Sequence, residues 1–221
     1  SNAIWTNAHV VLGLEKLLKG YSEYYPRPWA VRSGTIINGG GTYVLDSGTG
    51  FLDRAIHPEF DGTYLSPDIA WFFTDRALPS VLDFLPREYA ESLRVGQPIA
   101  TMGFPGELKH INISVPIATF KDGTISALRP YEPGVTAFSQ KNNKMIQHNF
   151  DTSGGTSGSP IFDHQGYVVA VNNASMKAIV FSQNGVPEPV GQGSLGFGIR
   201  VDEVWDFIDY WKEETASAKR T

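Results

Sequence analysis

The 221-residue chain contains no cysteine, so its fold owes nothing to disulfides and it has no thiol nucleophile or thiolate metal ligand. Long apolar runs are also absent, and we expect no membrane span. The net charge is −5 at pH 7 without a long basic stretch, which argues against nucleic acid as the main partner. No His/Asp/Glu cluster has ligand spacing and no phosphate loop occurs, so we expect neither a metal nor a cofactor.

Apolar residues and turn formers are abundant instead. Hydrophobic residues make up 41% of the chain and aromatic residues 12%, enough for a substantial core. The 23 glycines and 14 prolines help to separate short stretches rich in Val, Ile, Thr, Phe and Tyr. A spacing of roughly 8–12 residues between turns favours a β-sandwich or barrel over βαβ units. The predicted strands include Thr42–Leu45, Ile69–Phe73, Pro98–Met102, Ile111–Phe120 and Tyr167–Val171.

Two helices are predicted near the ends of the chain. The first covers about Val10–Lys19 and carries Leu14, Leu17 and Leu18. The second begins after Asp202, a favourable N-cap, and presents one apolar face. A soft boundary near residue 95 divides the strands into two groups. We therefore interpret residues 4–95 and 96–200 as two β units, followed by a helix and tail at 201–221.

The strongest signal for chemistry is Ser157, in Gly155-Thr156-Ser157-Gly158-Ser159-Pro160. The flanking glycines let the backbone turn sharply around an exposed hydroxyl. They also leave room for a carbonyl oxygen to approach the N–H groups of Gly155 and Ser157, and two such donors form an oxyanion hole. A Gly/Ser-rich loop without a catalytic role explains the segment about equally well. The nucleophile elbow of α/β-hydrolases does not, because Ser159 stands at its last glycine position.

A serine nucleophile needs a base, and His9 is the best candidate among the five histidines. It follows an apolar β-like run and leads into the first predicted helix, which places the imidazole at a strand end where it can face a cleft. His148, nine residues before Ser157, is a weaker second candidate. His57 and His164 lie in turn-like segments and are interpreted as surface histidines.

The base in turn needs a buried acid that fixes its tautomer. Asp68 directly precedes the apolar strand Ile69–Phe73, a position that is unusual for a merely solvated carboxylate. Asp46 and Asp61 lie in turn-rich segments and are read more simply as turn residues.

The segments around His9, Asp68 and Ser157 occur in the order His, Asp, Ser and together resemble the chymotrypsin-fold serine proteases. Residues 57–60 resemble the segment before the family's triad aspartate. Residues 95–106, 124–128 and 196–201 resemble HtrA/Deg proteases, and Gly158-Ser159-Pro160 is similar to bacterial glutamyl endopeptidases. The resemblance implies an all-β fold with two six-stranded antiparallel β-barrels of trypsin-like type and a C-terminal α-helix.

In such a fold His9 and Asp68 come from the first barrel and Ser157 from the second, and the implied function is serine endopeptidase activity on proteins or peptides through an acyl-enzyme. Three alternatives stay open: an inactive protease-fold module that binds peptides, an esterase with the same triad, and an interaction domain of a larger polypeptide. Thr156 replaces the acid that pairs with a new N-terminus in pancreatic-type relatives, so that route of activation is excluded.

Four residues are candidates for substrate binding: Asp151, Thr152, Asn172 and Asn173. Asp151 lies six residues before Ser157, where trypsin-like enzymes carry the pocket-floor carboxylate that selects Arg or Lys. Equally, Asp151-Thr152 could be a structural pair facing away from the pocket. Glutamyl endopeptidases place a histidine at the position that matches Asn172, so glutamate specificity is disfavoured.

The first barrel is expected to be truncated at its N-terminus, because only residues 4–7 precede His9 where the family has more strands. An open barrel edge exposes unpaired backbone groups, and we expect lower stability or self-association through it. Ser1-Asn2-Ala3 resembles the remnant of a cleaved tag, which leaves the compartment open. The family resemblance favours a secreted or periplasmic location.

Overall fold

The computed structural model describes residues 3–21, 35–36, 41–42, 51–63, 65–74, 81–105, 118–131, 140–152, 154–176, 179–181, 187–189 and 195–218. Thirteen strands and three α-helices are assigned within these ranges. The strands are β1 Ala3–Thr6, β2 Thr35–Ile36, β3 Gly41–Thr42, β4 Phe51–Ile56, β5 Ala70–Thr74, β6 Pro98–Gly103, β7 Thr119–Arg129, β8 Met145–His148, β9 Pro160–Asp163, β10 Val168–Met176, β11 Ile179–Phe181, β12 Pro187–Pro189 and β13 Leu195–Arg200. The helices are α1 Ala8–Tyr21, α2 Arg87–Ala90 and α3 Val201–Ala218, and Gln140–Asn142 forms a 3₁₀ turn.

Six strands close into an antiparallel barrel in the order β10-β13-β8-β7-β6-β9. Alternate residues of each strand point inward, so that Ile99 and Thr101 of β6 are buried while Pro98 is exposed. The barrel interior is mainly aliphatic, with Ile125, Ile146, Ile161, Val169 and Ile199 among its buried side chains. This closed barrel confirms the all-β prediction for the second half of the chain.

The first half forms a three-stranded antiparallel sheet, in the order β1-β5-β4, within the described residues. The register of β1 on β5 runs from Ala3↔Phe73 to Thr6↔Ala70. Helix α1 leaves directly from the end of β1, and its Val11 packs with Ala70 in a small separate cluster. Among the residues that the structure describes, the first half thus contributes a small sheet and not a closed barrel, in agreement with the expected truncation.

Helix α3 covers this sheet with aromatic side chains. The ring of Phe207 stacks on Trp71 at a centroid distance of 4.7 Å and contacts Trp5 at 6.1 Å. Trp211, one turn further along, meets Trp71 at 5.6 Å. The sheet and the barrel share one continuous hydrophobic core in which Phe207 and Trp71 are both buried.

Two sequence-based predictions need correction. Helix α3 begins at Val201, so Asp202 lies in its first turn and is not the N-cap. The reason is the fully buried Arg200, whose Nε and Nη2 donate to the two carboxylate oxygens of Asp202 at 2.6 and 2.8 Å. His57 is only 6% exposed and packs on Phe207 at 5.1 Å, so it is not a surface histidine.

Most of the other predicted elements fall close to the observed ones, whereas residues 43–45 of the predicted strand Thr42–Leu45 lie outside the described residues. Helix α1 extends the predicted Val10–Lys19 by two residues at each end. Of the predicted strand Ile111–Phe120, residues 111–117 lie outside the described residues, and β7 begins at Thr119. Within the described ranges, no helix has both the length and the apolar character needed to cross a membrane.

Candidate active site

The structure brings His9 and Asp68 together through two hydrogen bonds. The backbone N–H of His9 donates to Asp68 Oδ1 at 2.9 Å, and His9 Nδ1 lies 2.5 Å from Asp68 Oδ2. The Asp68 side chain is 3% exposed, whereas that of His9 is 46% exposed. A carboxylate only accepts hydrogen bonds, so a neutral His9 carries its proton on Nδ1 and leaves Nε2 as an acceptor.

Local chain geometry explains why these two residues meet. Asp68 lies two residues before the start of β5, and His9 is the second residue of α1, which begins two residues after the end of β1. Since β1 and β5 pair with Thr6 opposite Ala70, His9 and Asp68 lie next to each other at the same end of the sheet. The side chain of the buried Asn7 donates to the Asp68 carbonyl oxygen at 2.8 Å and fixes the segment before β5.

Ser157 occupies a tight turn over residues 156–159. The N–H of Ser159 donates to the Thr156 carbonyl oxygen at 3.1 Å, and Gly158, the third residue of the turn, has φ +82°. A positive φ at that position is the hallmark of a type II turn and favours glycine. Gly155, just before the turn, also has a positive φ of +94°, a backbone conformation that favours glycine.

The turn approaches the end of β1 so closely that only glycine fits at position 158. A Cβ built on Gly158 would collide with Thr6 Oγ1 and would lie 3.1 Å from Thr6 Cα. Thr6 is three residues before His9, and Gly158 directly follows Ser157. This contact between the sheet and the barrel therefore places the Ser157 turn beside the segment that carries His9.

The Ser157 hydroxyl donates to the Asn173 carbonyl oxygen at 3.4 Å, a long hydrogen bond. In the described part of the chain, no hydrogen bond joins it to His9. The N–H groups of Gly155 and Ser157 have no acceptor among the described residues. The segment thus presents a weakly held hydroxyl and two backbone donors that lie two residues apart in the sequence.

The four predicted substrate-binding residues occupy different environments. Asp151 is exposed, and its carbonyl oxygen accepts Lys121 Nζ at 2.6 Å, so its carboxylate does not lie at the floor of a buried pocket. Thr152 and Asn173 are each 5% exposed, and the hydroxyl of Thr152 is buried without a partner in the described residues. Asn172, 2% exposed, directs its side chain into the protein.

Neither His148 nor His164 is hydrogen-bonded to the Ser157 hydroxyl. His148 is fully buried, stacks on Phe150 at a centroid distance of 3.7 Å and pairs through Nε2 with Asn172 Oδ1 at 3.1 Å. Burial lowers its pKa to about 4, with the Asn172 hydrogen bond acting in the opposite direction. His164 is exposed in the turn between β9 and β10, as predicted.

Sequence reasoning missed the internal role of Asn172 and the close contact between Gly158 and Thr6. A signal for the first was present, because Asn172-Asn173 continues the apolar run Val168–Val171, where polar side chains need internal partners. The second has no signal beyond the glycine itself, since its cause is a segment more than 150 residues away along the chain.

Comparison with known proteins gives one family match. A sequence model described as the trypsin-like peptidase domain matches residues 1–171 of the chain. No match was found among curated proteins.

Two solved structures of the HtrA-type protease AlgW, one with a decapeptide and one with a tripeptide, are similar to the chain at 22% and 21% sequence identity. Their TM-scores are 0.40 and 0.43, and 61% and 64% of this chain are covered. The chain spans only 34% and 39% of the length of those two proteins.

Proposed function

Because the chain belongs to the trypsin-like peptidase domain family, we propose that it is a serine endopeptidase that hydrolyses peptide bonds through an acyl-enzyme intermediate. Ser157 is the nucleophile, His9 the general base and acid, and Asp68 the group that orients His9. The observation that carries this assignment is the pairing of His9 Nδ1 with Asp68 Oδ2 at 2.5 Å. That pairing directs the basic Nε2 of His9 away from Asp68.

Acylation begins when the Ser157 hydroxyl turns from the Asn173 carbonyl oxygen towards His9 Nε2. Catalytic hydrogen bonds in unliganded enzymes are often long or absent and form when substrate binds, so the apo geometry is compatible with this step. Ser157 Oγ then bonds to the substrate carbonyl carbon while its proton passes to His9 Nε2. Asp68 stabilises the imidazolium without accepting its proton.

The tetrahedral intermediate carries its negative charge on the former carbonyl oxygen. The N–H groups of Gly155 and Ser157 donate to this oxygen, and each such donor contributes roughly 3 kcal/mol to transition-state stabilisation. The C–N bond then breaks, His9 protonates the leaving amine, and an ester on Ser157 remains. A water molecule, deprotonated by His9, hydrolyses the ester through a second tetrahedral intermediate and restores the serine hydroxyl.

The exposed Asp151 does not favour a buried carboxylate for Arg or Lys, so we expect no strong basic preference. Thr152 is buried and its hydroxyl is not accessible to a ligand, so we assign it no contact with the substrate. Asn173 is a candidate for substrate contact because its carbonyl oxygen lies 3.4 Å from the Ser157 hydroxyl.

Labelling with a fluorophosphonate tests the proposal directly, since Ser157 Oγ forms a bond to phosphorus and fluoride leaves. We expect labelling of the wild type and none of Ser157→Ala, with at least about 10³-fold slower labelling of His9→Ala. Ser159→Ala is the matched control and should label like the wild type. Undiminished labelling of Ser157→Ala would overturn the assignment of the nucleophile.

Turnover of casein and of a short nitrophenyl ester then identifies the reaction. Hydrolysis of both supports an endopeptidase, whereas hydrolysis of the ester alone supports an esterase. A wild type that is not labelled but binds peptides would instead be an inactive protease-fold module.

A further inference from the structure

Asn172 holds the Ser157 turn through its backbone and its side chain together. Its N–H donates to the Ser159 carbonyl oxygen at 2.9 Å, and its own carbonyl oxygen accepts the Gly158 N–H at 2.8 Å. Its side-chain Nδ2 donates to the Thr156 carbonyl oxygen at 2.9 Å and to Thr156 Oγ1 at 3.2 Å. Resting on the proposed function, we propose that Asn172 is a positioning residue for the Ser157 nucleophile, not a contact for substrate.

The partners of Asn172 fix which way its amide points. The Thr156 carbonyl oxygen is only an acceptor, so the group that faces it must be the Nδ2 donor. Oδ1 therefore faces His148 Nε2 at 3.1 Å, and His148 must carry its proton on Nε2. This tautomer is the opposite of the one that Asp68 imposes on His9.

The imidazole ring of His148 is tightly packed inside the barrel. The ring of Phe150 stacks on one face of the imidazole at 3.7 Å, with 17° between the planes. Gly196 of β13 lies so close that a Cβ there would collide with the imidazole ring. With both neighbours in place the ring cannot turn, and its Nε2–H donor keeps the Asn172 amide in one orientation.

Together these bonds tie the Ser157 turn to the barrel at both ends. The Thr156 carbonyl oxygen accepts from Ser159 and from Asn172, and the Ser159 carbonyl oxygen accepts from the Asn172 backbone. Ser157 and its oxyanion donor lie between these two points. A misplacement of about 1 Å in such a site costs on the order of 10²-fold in rate, so loss of the Asn172 amide donor should slow acylation to that extent.

The test compares Asn172→Asp with Asn149→Asp by fluorophosphonate labelling at pH 9.5, above the range to which burial raises the pKa of a carboxyl group, so that the new carboxylate is ionised. The carboxylate at position 172 cannot donate to Thr156, and we expect labelling about 100-fold slower than in the wild type. Asn149 is exposed and uses its Oδ1 to accept the Thr124 N–H at 2.7 Å, so Asn149→Asp keeps that bond and should label within about twofold of the wild type. The maximal labelling rate should fall in Asn172→Asp while the half-saturating probe concentration stays unchanged.

A folded Asn172→Asp that labels at the wild-type rate would refute the proposal. If that variant does not melt cooperatively, Asn172→Ala, which has no side-chain donor for Thr156, takes its place with the same two outcomes. The ¹⁵N shifts of His148 in the wild type provide a readout that needs no activity. The Nε2–H tautomer is expected, and the Nδ1–H tautomer would overturn the network. If the wild type is not labelled but shows the Nε2–H tautomer, the proposed function fails while the hydrogen-bond network stands.

Discussion

The two halves of the molecule build their cores in different ways. The second half is a closed six-stranded barrel filled mainly by Ile and Val, and closure leaves no strand edge unpaired. The first half is a three-stranded sheet in the described residues, and its main core side chains are the aromatic Trp5, Trp71 and Phe73. A small sheet cannot enclose a core alone, and large rings supply more buried area for each residue.

The difference extends to the candidate active site. Ser157 lies on a turn that is hydrogen-bonded to the closed barrel, whereas His9 and Asp68 lie at the end of the open sheet. Helix α3 covers that sheet, with Phe207 on Trp71 at 4.7 Å. The turn that carries the nucleophile is therefore supported by hydrogen bonds within the barrel. The base and its acid instead lie at the end of a sheet whose core is completed by α3.

A cleft lies between the two halves of the molecule. It has a volume of about 460 Å³ and is lined on one side by β1 and on the other by the barrel. Gly158 and Trp205 belong to its lining, with the exposed Val81 and Leu82 at its edge. Among the described residues, the contacts between the halves include the approach of Gly158 to Thr6 and the aromatic packing under α3.

The largest expected effect is on the reaction rate and tests the role of the sheet half, which carries His9 and Asp68. In Asp68→Asn one oxygen of the carboxylate becomes an N–H₂ donor, so the side chain no longer accepts from both the His9 N–H and Nδ1–H. His9 is then driven to the wrong tautomer, and we expect labelling of Ser157 to slow by about 10⁴-fold. Asp83→Asn, at an exposed site, is the matched control. A loss below tenfold for Asp68→Asn would contradict the orienting role.

The second effect is on stability and tests whether the sheet is destabilised more than the barrel. Phe207→Ala removes the ring that packs on Trp71, Trp5 and His57, and should lower the free energy of unfolding by about 3–5 kcal/mol. Hydrogen exchange should accelerate in β1 and β5 much more than in the barrel strands. Tyr210→Ala, on the same helix at a residue 43% exposed, should cost less than about 1 kcal/mol. Equal acceleration in both halves would show that sheet and barrel unfold as one unit.

Sequence reasoning reached the parts of this molecule that short segments encode. The residues around His9, Asp68 and Ser157 predicted the two-part β fold, and the structure brings His9 and Asp68 into contact. The glycines around Ser157 predicted a sharp turn, which the positive φ of Gly155 and Gly158 confirms. The catalytic roles of these residues stay predictions.

The features that sequence reasoning missed depend on contacts between distant segments. The burial of His57 requires Phe207, 150 residues further along the chain. The start of α3 is set by Arg200, which is fully buried and needs the carboxylate of Asp202 close by. The hydrogen bonds of Asn172 to His148 and Thr156 are likewise not visible in the local pattern.

The smallest effect compares one buried histidine in each half. Burial lowers the pKa of both His57 and His148 from 6.5 to about 4. The unfolded chain therefore binds more protons between these two values. The stability that the neutral rings provide is complete above pH 6.5 and is lost as the pH falls towards 4.

We expect the unfolding free energy, measured with urea, to fall by about 3 kcal/mol for the fully buried His148 over this pH range. The loss for His57, which lies at the joint between sheet and helix, should appear first as faster hydrogen exchange in β5. His148→Gln should weaken the pH dependence of stability, measured by hydrogen exchange, in the barrel strands, and His57→Gln should weaken it in the sheet. His164→Gln, at an exposed site, should leave the pH dependence of both unchanged. His57→Gln could instead weaken the pH dependence of stability in the barrel strands as much as in the sheet. That result would show that the packing of His57 on Phe207 couples the two halves more tightly than their different cores imply.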